Sequence, residues 1–151
     1  MNWLVNLIGI VNKTPLFDTA TWSTELTWMQ WLSVTENEAV FKGRDGYNQI
    51  DRVSKNFVGL GINFSPSLFQ VFPGVDILAP LSWSQGISGN AAVTSGGSKG
   101  AGTYGIGVAA DIRQQYRFDL KYVGFYGDYS TTPSGAMNIP NGVPAVLSDR
   151  G

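Results

Sequence analysis

The chain contains no cysteine and no histidine. The first absence excludes disulfides and thiolate metal sites, and the second removes the side chain most often used as a general base or metal ligand. No nucleophile constellation compensates, so the sequence predicts no enzyme, no cofactor and no metal centre. Charge is scarce too: Asp, Glu, Lys and Arg make up 14% of the 151 residues, with a net charge of -1, against about a quarter in an ordinary globular domain. That balance gives no electrostatic reason to expect a nucleic-acid partner. Long apolar runs are also missing, and without about eighteen consecutive apolar residues there is no transmembrane helix. The opening MNWLVNLIGIVNK lacks a positive n-region and a small-residue cleavage site, and Asn6 interrupts its apolar stretch. It reads as a strand rather than a signal peptide.

What the chain does have is glycine, 19 residues, and aromatics, 13%. The clearest pattern lies between Ala101 and Tyr129. Tyr104, Ile106, Val108, Ala110 and Ile112 alternate with Thr103, Gly105, Gly107, Ala109 and Asp111; past Arg113-Gln114-Gln115, Tyr116, Phe118, Leu120 and Tyr122 alternate with Arg117, Asp119, Lys121 and Val123. Side chains two apart share a face of a strand, so one face is oily and the other small or charged. A turn centred on Gln114 makes facing residue numbers sum to 228, which sets Asp111 opposite Arg117, Ala110 opposite Phe118 and Val108 opposite Leu120. Charge then meets charge and apolar meets apolar. Each arm is about ten residues, the length that crosses a membrane as a tilted strand.

The same alternation predicts six strands, at residues 2–12, 19–30, 56–65, 75–84, 102–112 and 116–127. In the first, Trp3, Val5, Leu7 and Val11 alternate with Asn2, Leu4, Asn6 and Ile8. In the second, Ala20, Trp22, Leu26 and Trp28 oppose Thr21, Ser23, Glu25 and Thr27, with Thr24 a polar exception on the oily side. Val58, Leu60, Ile62 and Phe64 oppose Gly59, Gly61, Asn63 and Ser65 in the third. Asp76, Leu78, Pro80, Ser82 and Ser84 form the second face of the fourth, where Pro80 cannot donate to a ladder and needs an edge or a bulge. Connections at 12–17, 66–74 and 113–115 are shorter than those at 33–55, 86–100 and beyond 130. A short helix is expected at 36–41, a flexible Gly/Ser loop at 86–100, and a tail without strands after 130.

Short turns at one end and long loops at the other are the signature of an outer-membrane wall. The fold expected is therefore all-β, an antiparallel meander forming part of a transmembrane outer-membrane β-barrel. A complete bacterial barrel has an even number of strands, about eight or more. Six strands with both ends at the outer rim predict a single domain that is the C-terminal fragment of a larger barrel, with the remaining strands as its partners. Glu25, Asp76, Asp111, Arg117, Asp119 and Lys121 are then the candidate lumen-lining residues. They either tune selectivity or merely fix register, and barrel interiors are polar by default. Trp22, Trp28, Val58, Leu60, Ile62 and Trp83 are candidate lipid-facing residues, with Ile106, Val108, Phe118, Leu120 and Tyr122. Outer-membrane lipid is the partner that such a face implies. Trp22, Trp28, Trp83, Tyr116, Tyr122 and Tyr126 suit aromatic girdles at the membrane interfaces better than a carbohydrate platform. Glu36, Glu38, Asp45 and Asp51 have no calcium-loop spacing. A soluble β-sandwich used for adhesion or glycan binding is the alternative, because alternation also describes a sheet with one face buried in a core.

The runs LTWMQWLSVTENEAVFKGRDGYN, DRVSKNFVGLGINFSPSLFQVFPGVDI, GNAAVTSGGSKGAGTYGIGVAADI and YRFDLKYVGFYGDY, with the closing NGVPAVLSDRG, span essentially the whole chain. They resemble the C-terminal part of a proteobacterial outer-membrane family known only as domain of unknown function 1302. The resemblance implies an outer-membrane location in a Gram-negative bacterium and a channel or transporter role for small compounds, hydrophobic ones included. It also implies a final strand ending in Phe that this sequence lacks, and it supplies no catalytic residues.

Overall fold

The computed structural model describes residues 1–37, 53–92, 97–128, 130–131 and 137–138. Seven strands make one sheet: β1 (Asn2–Val11), β2 (Thr19–Gln30), β3 (Asn56–Phe72), β4 (Val75–Leu78), β5 (Leu81–Ser88), β6 (Gly102–Ile112) and β7 (Tyr116–Tyr126). All neighbours pair antiparallel, in the order β1, β2, β3, then β4 and β5 end to end, then β6 and β7. The sheet is a sequential meander, as period-2 alternation without helical segments dictates.

Two prolines explain why the fourth line of the sheet is split into β4 and β5. In an antiparallel ladder, a residue's N–H and C=O point to the same neighbour. The Pro66 carbonyl accepts from the Ala79 amide at 3.0 Å, and the Pro80 carbonyl accepts from the Gly107 amide at 2.9 Å. Neither proline can return the second bond. The ladder therefore lapses at Ala79-Pro80 without slipping: pairs on the β3 side sum to 145 before and after the break (Ser67 with Leu78, Phe64 with Leu81). On the β6 side they sum to 187 throughout (Leu78 with Ala109, Leu81 with Ile106).

The third strand runs further than its alternation predicts. Residues 66–72 continue β3 instead of forming a connection, and only Pro73-Gly74 separates Phe72 from Val75. Extra residues on the β3 side bulge between Leu68 and Phe72, with Gln70 at φ 50°. Such a bulge orphans backbone amides. Here two carboxylates accept them: Asp18 Oδ2 from the Phe69 amide and Asp76 Oδ1 from the Gln70 amide, each at 2.8 Å.

The tail departs from expectation as well, because β8 (Ser130–Thr131) and β9 (Met137–Asn138) form a small antiparallel pair. Of the helix expected at 36–41, Glu36 and Asn37 are not helical and the remainder lies outside the described residues. The three tight connections, 12–18, 73–74 and 113–115, close hairpins at one end of the sheet. Two of them are stitched together where the Arg113 amide donates to the Gly74 carbonyl at 2.7 Å.

Candidate functional site: a sheet with two unlike faces

Cross-strand register carries each face continuously from strand to strand. One row joins Trp3, Trp28 and Val58; another joins Val5, Leu26 and Leu60; a third joins Leu7, Thr24, Ile62, Trp83 and Tyr104. Towards the short turns, Phe64, Leu81, Ile106 and Tyr122 share a row, and Ala110 lies beside Phe118. All of the aromatic and aliphatic side chains assigned from alternation fall on this face, with Thr24 among them as the polar exception. Phe17 packs edge-on against Phe64 and Ala20 is buried near the short turns, but most of the face lies open: Phe118 is 64% exposed and Leu120 75%. Water exacts about 25 cal/mol for each Å² of such apolar surface, so a face this broad needs a non-aqueous neighbour.

The opposite face is small or polar. Asn6, Glu25, Gly61, Ser84 and Thr103 form one of its rows, and Ser23, Asn63, Ser82 and Gly105 belong to another. Asn63 Nδ2 donates to Ser23 Oγ at 3.2 Å, and Ser84 Oγ bonds Thr103 Oγ1 at 2.8 Å. β1 is the exception, for Leu4, Ile8 and Ile10 make this face apolar there.

The six charged residues singled out from the sequence all lie on the polar face, but the fold brings only some of them together. Asp76, Asp111 and Arg117 occupy one row beside the short turns, around an open cavity of about 440 Å³. The Arg117 guanidinium takes both carboxylates of its own neighbourhood, Asp111 at 3.3 Å and Asp119 at 3.0 Å through Nε and 3.3 Å through Nη2. The register sum of 228 and the Asp111 to Arg117 pairing hold as the alternation predicts. These groups are half-exposed, so their attraction is screened and modest. Lys121 lies farther up β7, and Glu25 stands apart on β2, its Oε1 accepting from Thr27 Oγ1 at 3.4 Å. Among the described residues no three acidic side chains converge as a metal site.

Sequence reasoning missed two features of this site. The first is Asp18, outside the strands, which accepts the bulge amide of Phe69 and pairs with Lys13 Nζ at 2.9 Å. The Lys13 ammonium and the Phe69 amide hold its carboxyl below the usual carboxylate range.

The second is the connection after β5, which the Gly/Ser composition makes a free loop. Its described parts instead fold back over the polar face. Gly86 exchanges bonds with it, donating to the Ala101 carbonyl at 3.0 Å and accepting from the Gly100 amide at 2.8 Å. Asn90 and Ser98 form a bridge, the Ala91 amide donates to the Gly97 carbonyl at 3.0 Å, and Asn90 Oδ1 accepts from the Lys99 amide at 3.2 Å. Phe57, Ala91, Ser98 and Ala101 are consequently buried. The only advance signal was the run of glycines at the end of β5 and the start of β6.

These observations define an all-β protein whose main sheet carries one apolar and one polar face. The chain belongs to the family described as protein of unknown function (DUF1302), which matches residues 1–151. No curated protein and no solved structure matches it.

Proposed function

We propose that the sheet is a stretch of outer-membrane β-barrel wall in a Gram-negative bacterium, serving as part of a channel or transporter for small compounds, hydrophobic ones included. The observation that carries this reading is the apolar face continuous across the sheet and largely uncovered among the described residues, backed by a polar face. Lipid is the neighbour that such a face suits, while water suits the other. Lengths agree: β1, β2, β6 and β7 have 10, 12, 11 and 11 residues, close to the nine to eleven or so that a tilted strand needs to cross. The short turns at one end and longer connections at the other fit the same architecture. On this reading Glu25, Asp76, Asp111, Arg117, Asp119 and Lys121 line the lumen, and Trp22, Trp28, Phe118 and Leu120 face acyl chains. The sandwich alternative requires a second sheet over the apolar face. Among the described residues the only other sheet is the two-residue pairing of β8 with β9.

The test is tryptophan quenching by brominated lipids after refolding into vesicles, with Trp22, Trp28 and Trp83 each left in turn as the only apolar-face tryptophan. Strong quenching at all three is expected. A folded product in which none is quenched would refute the wall and return the face to a protein core.

A further inference from the structure

The returning segment after β5 lies on a particular side of the sheet, and three glycines show which. Gly59, Gly86 and Phe57 share the polar face by register, Gly59 pairing with Gly86. A Cβ on Gly86 would collide with the Ser98 backbone carbonyl. One on Gly97, which has φ +97°, would meet the Phe57 ring at 3.0 Å, and the same ring lies 3.2 Å from the Cβ position of Gly59. The segment therefore rests directly on the polar face, seated on a ring and on backbone that carries no side chain.

Its residues border two open cavities. On one side, about 430 Å³ is bounded by Leu4, Glu25, Thr27, Phe57, Ser84 and Thr103, with Glu25 the only ionisable residue among the described lining residues. On the other, towards the long connections, about 770 Å³ is bounded by Lys55, Lys99, Asn90 and Asp128.

We propose that residues 89–92 and 97–101 form a constriction on the lumen side of the wall, which limits solutes by size, and that Glu25 beneath it favours small cations over anions. The inference rests on the polar face being a lumen. The described parts of the segment are tied to one another, the Ala91 amide donating to the Gly97 carbonyl at 3.0 Å and the Lys99 amide to Asn90 Oδ1 at 3.2 Å, and to the sheet where Gly86 accepts from the Gly100 amide at 2.8 Å. Glu25 is exposed to that cavity, so its pull on cations is that of a solvated carboxylate, screened by salt and strongest at low ionic strength.

The chain has no native cysteine, so Thr103→Cys places a single thiol beneath the constriction. Its reaction with methanethiosulfonate reagents is followed in the refolded full chain. A small cationic reagent is expected to react about tenfold faster than a bulky one of the same charge, since access governs thiol labelling here. It should also react about threefold faster than an anionic one of equal size. Gly86→Leu in the same background, which must eject the segment, is expected to abolish the size discrimination, and Glu25→Gln the charge discrimination. Phe57→Ala, which removes the seat under Gly97 without inserting bulk, serves as the second variant and should weaken size discrimination in the same direction. Equal rates for small and bulky reagents in the parent, or discrimination unchanged by both Gly86→Leu and Phe57→Ala, overturns the constriction. The labelling is read equally in detergent micelles, so its failure is distinct from failure of lipid quenching, which would overturn the wall itself.

Discussion

At the scale of single residues, the two faces put sequence neighbours in unlike surroundings, one row apolar and the other polar. Phe118 and Asp119 are adjacent on β7 and point to opposite sides. On the proposed wall, Phe118→Arg is expected to cost about 2 to 4 kcal/mol near mid-height, whereas Asp119→Asn removes one of two carboxylates on an exposed Arg117 and should be tolerated. Urea unfolding in vesicles checks both, and equal effects would sink the two-face assignment. Asp18 gives a pH prediction. Its folded pKa lies below the unfolded one, so its contribution is present above the ordinary carboxylate value and is lost as pH falls through the folded value. Unfolding midpoints of the parent and Asp18→Asn should therefore differ at neutral pH and converge in acid below about pH 4. A constant difference across that range would rule out the linkage. The Asp111 to Arg117 pair was legible in sequence because the two lie six positions apart across a tight turn. The bond from Asp18 to the Phe69 amide spans 51 positions, and no local pattern reports it.

At the scale of elements, alternation located the strands but not their interruptions. Proline is a poor guide inside a sheet, because what matters is whether its missing donor has a neighbour to disappoint. Pro66 reads as the end of β3, yet its partner line is the one already broken at Pro80, so the strand continues past it. The bulge at Gln70 was hidden for a related reason: it is made possible by Asp18 and Asp76, which lie outside it. The turn between β6 and β7 was legible in position but not in conformation. Arg113 and Gln114 both have positive φ, 50° and 56°, where a side chain costs about 1 to 2 kcal/mol. Gln114→Gly should recover up to about 1 kcal/mol, net of glycine's greater unfolded freedom, while Gln114→Val should destabilise. Paired unfolding curves of the two variants check this, and a stabilising valine would contradict the left-handed turn.

At the scale of the whole molecule, the question is what holds a single broad sheet together. In an ordinary domain the answer is a core, but the buried apolar residues here are Ala20, Phe57, Ala91, Ala101 and Ala109, and no large side chain is fully buried among those described. Four alanines and one ring cannot offset the conformational entropy of ordering over a hundred residues, at about 1 to 2 kcal/mol each. Backbone hydrogen bonds add little net in water, where the unfolded chain bonds solvent instead. On the proposed wall both terms reverse, because a bilayer would bury the apolar face and leave an unpaired amide no water to turn to. That reading predicts stability that depends on the surroundings. Far-UV circular dichroism during urea titration should show no cooperative transition in plain buffer and a strand-rich, urea-resistant signal in lipid vesicles. A two-state transition in buffer alone, from a monodisperse monomer, would mean that the apolar face is covered by protein, and the lipid assignment would have to be withdrawn.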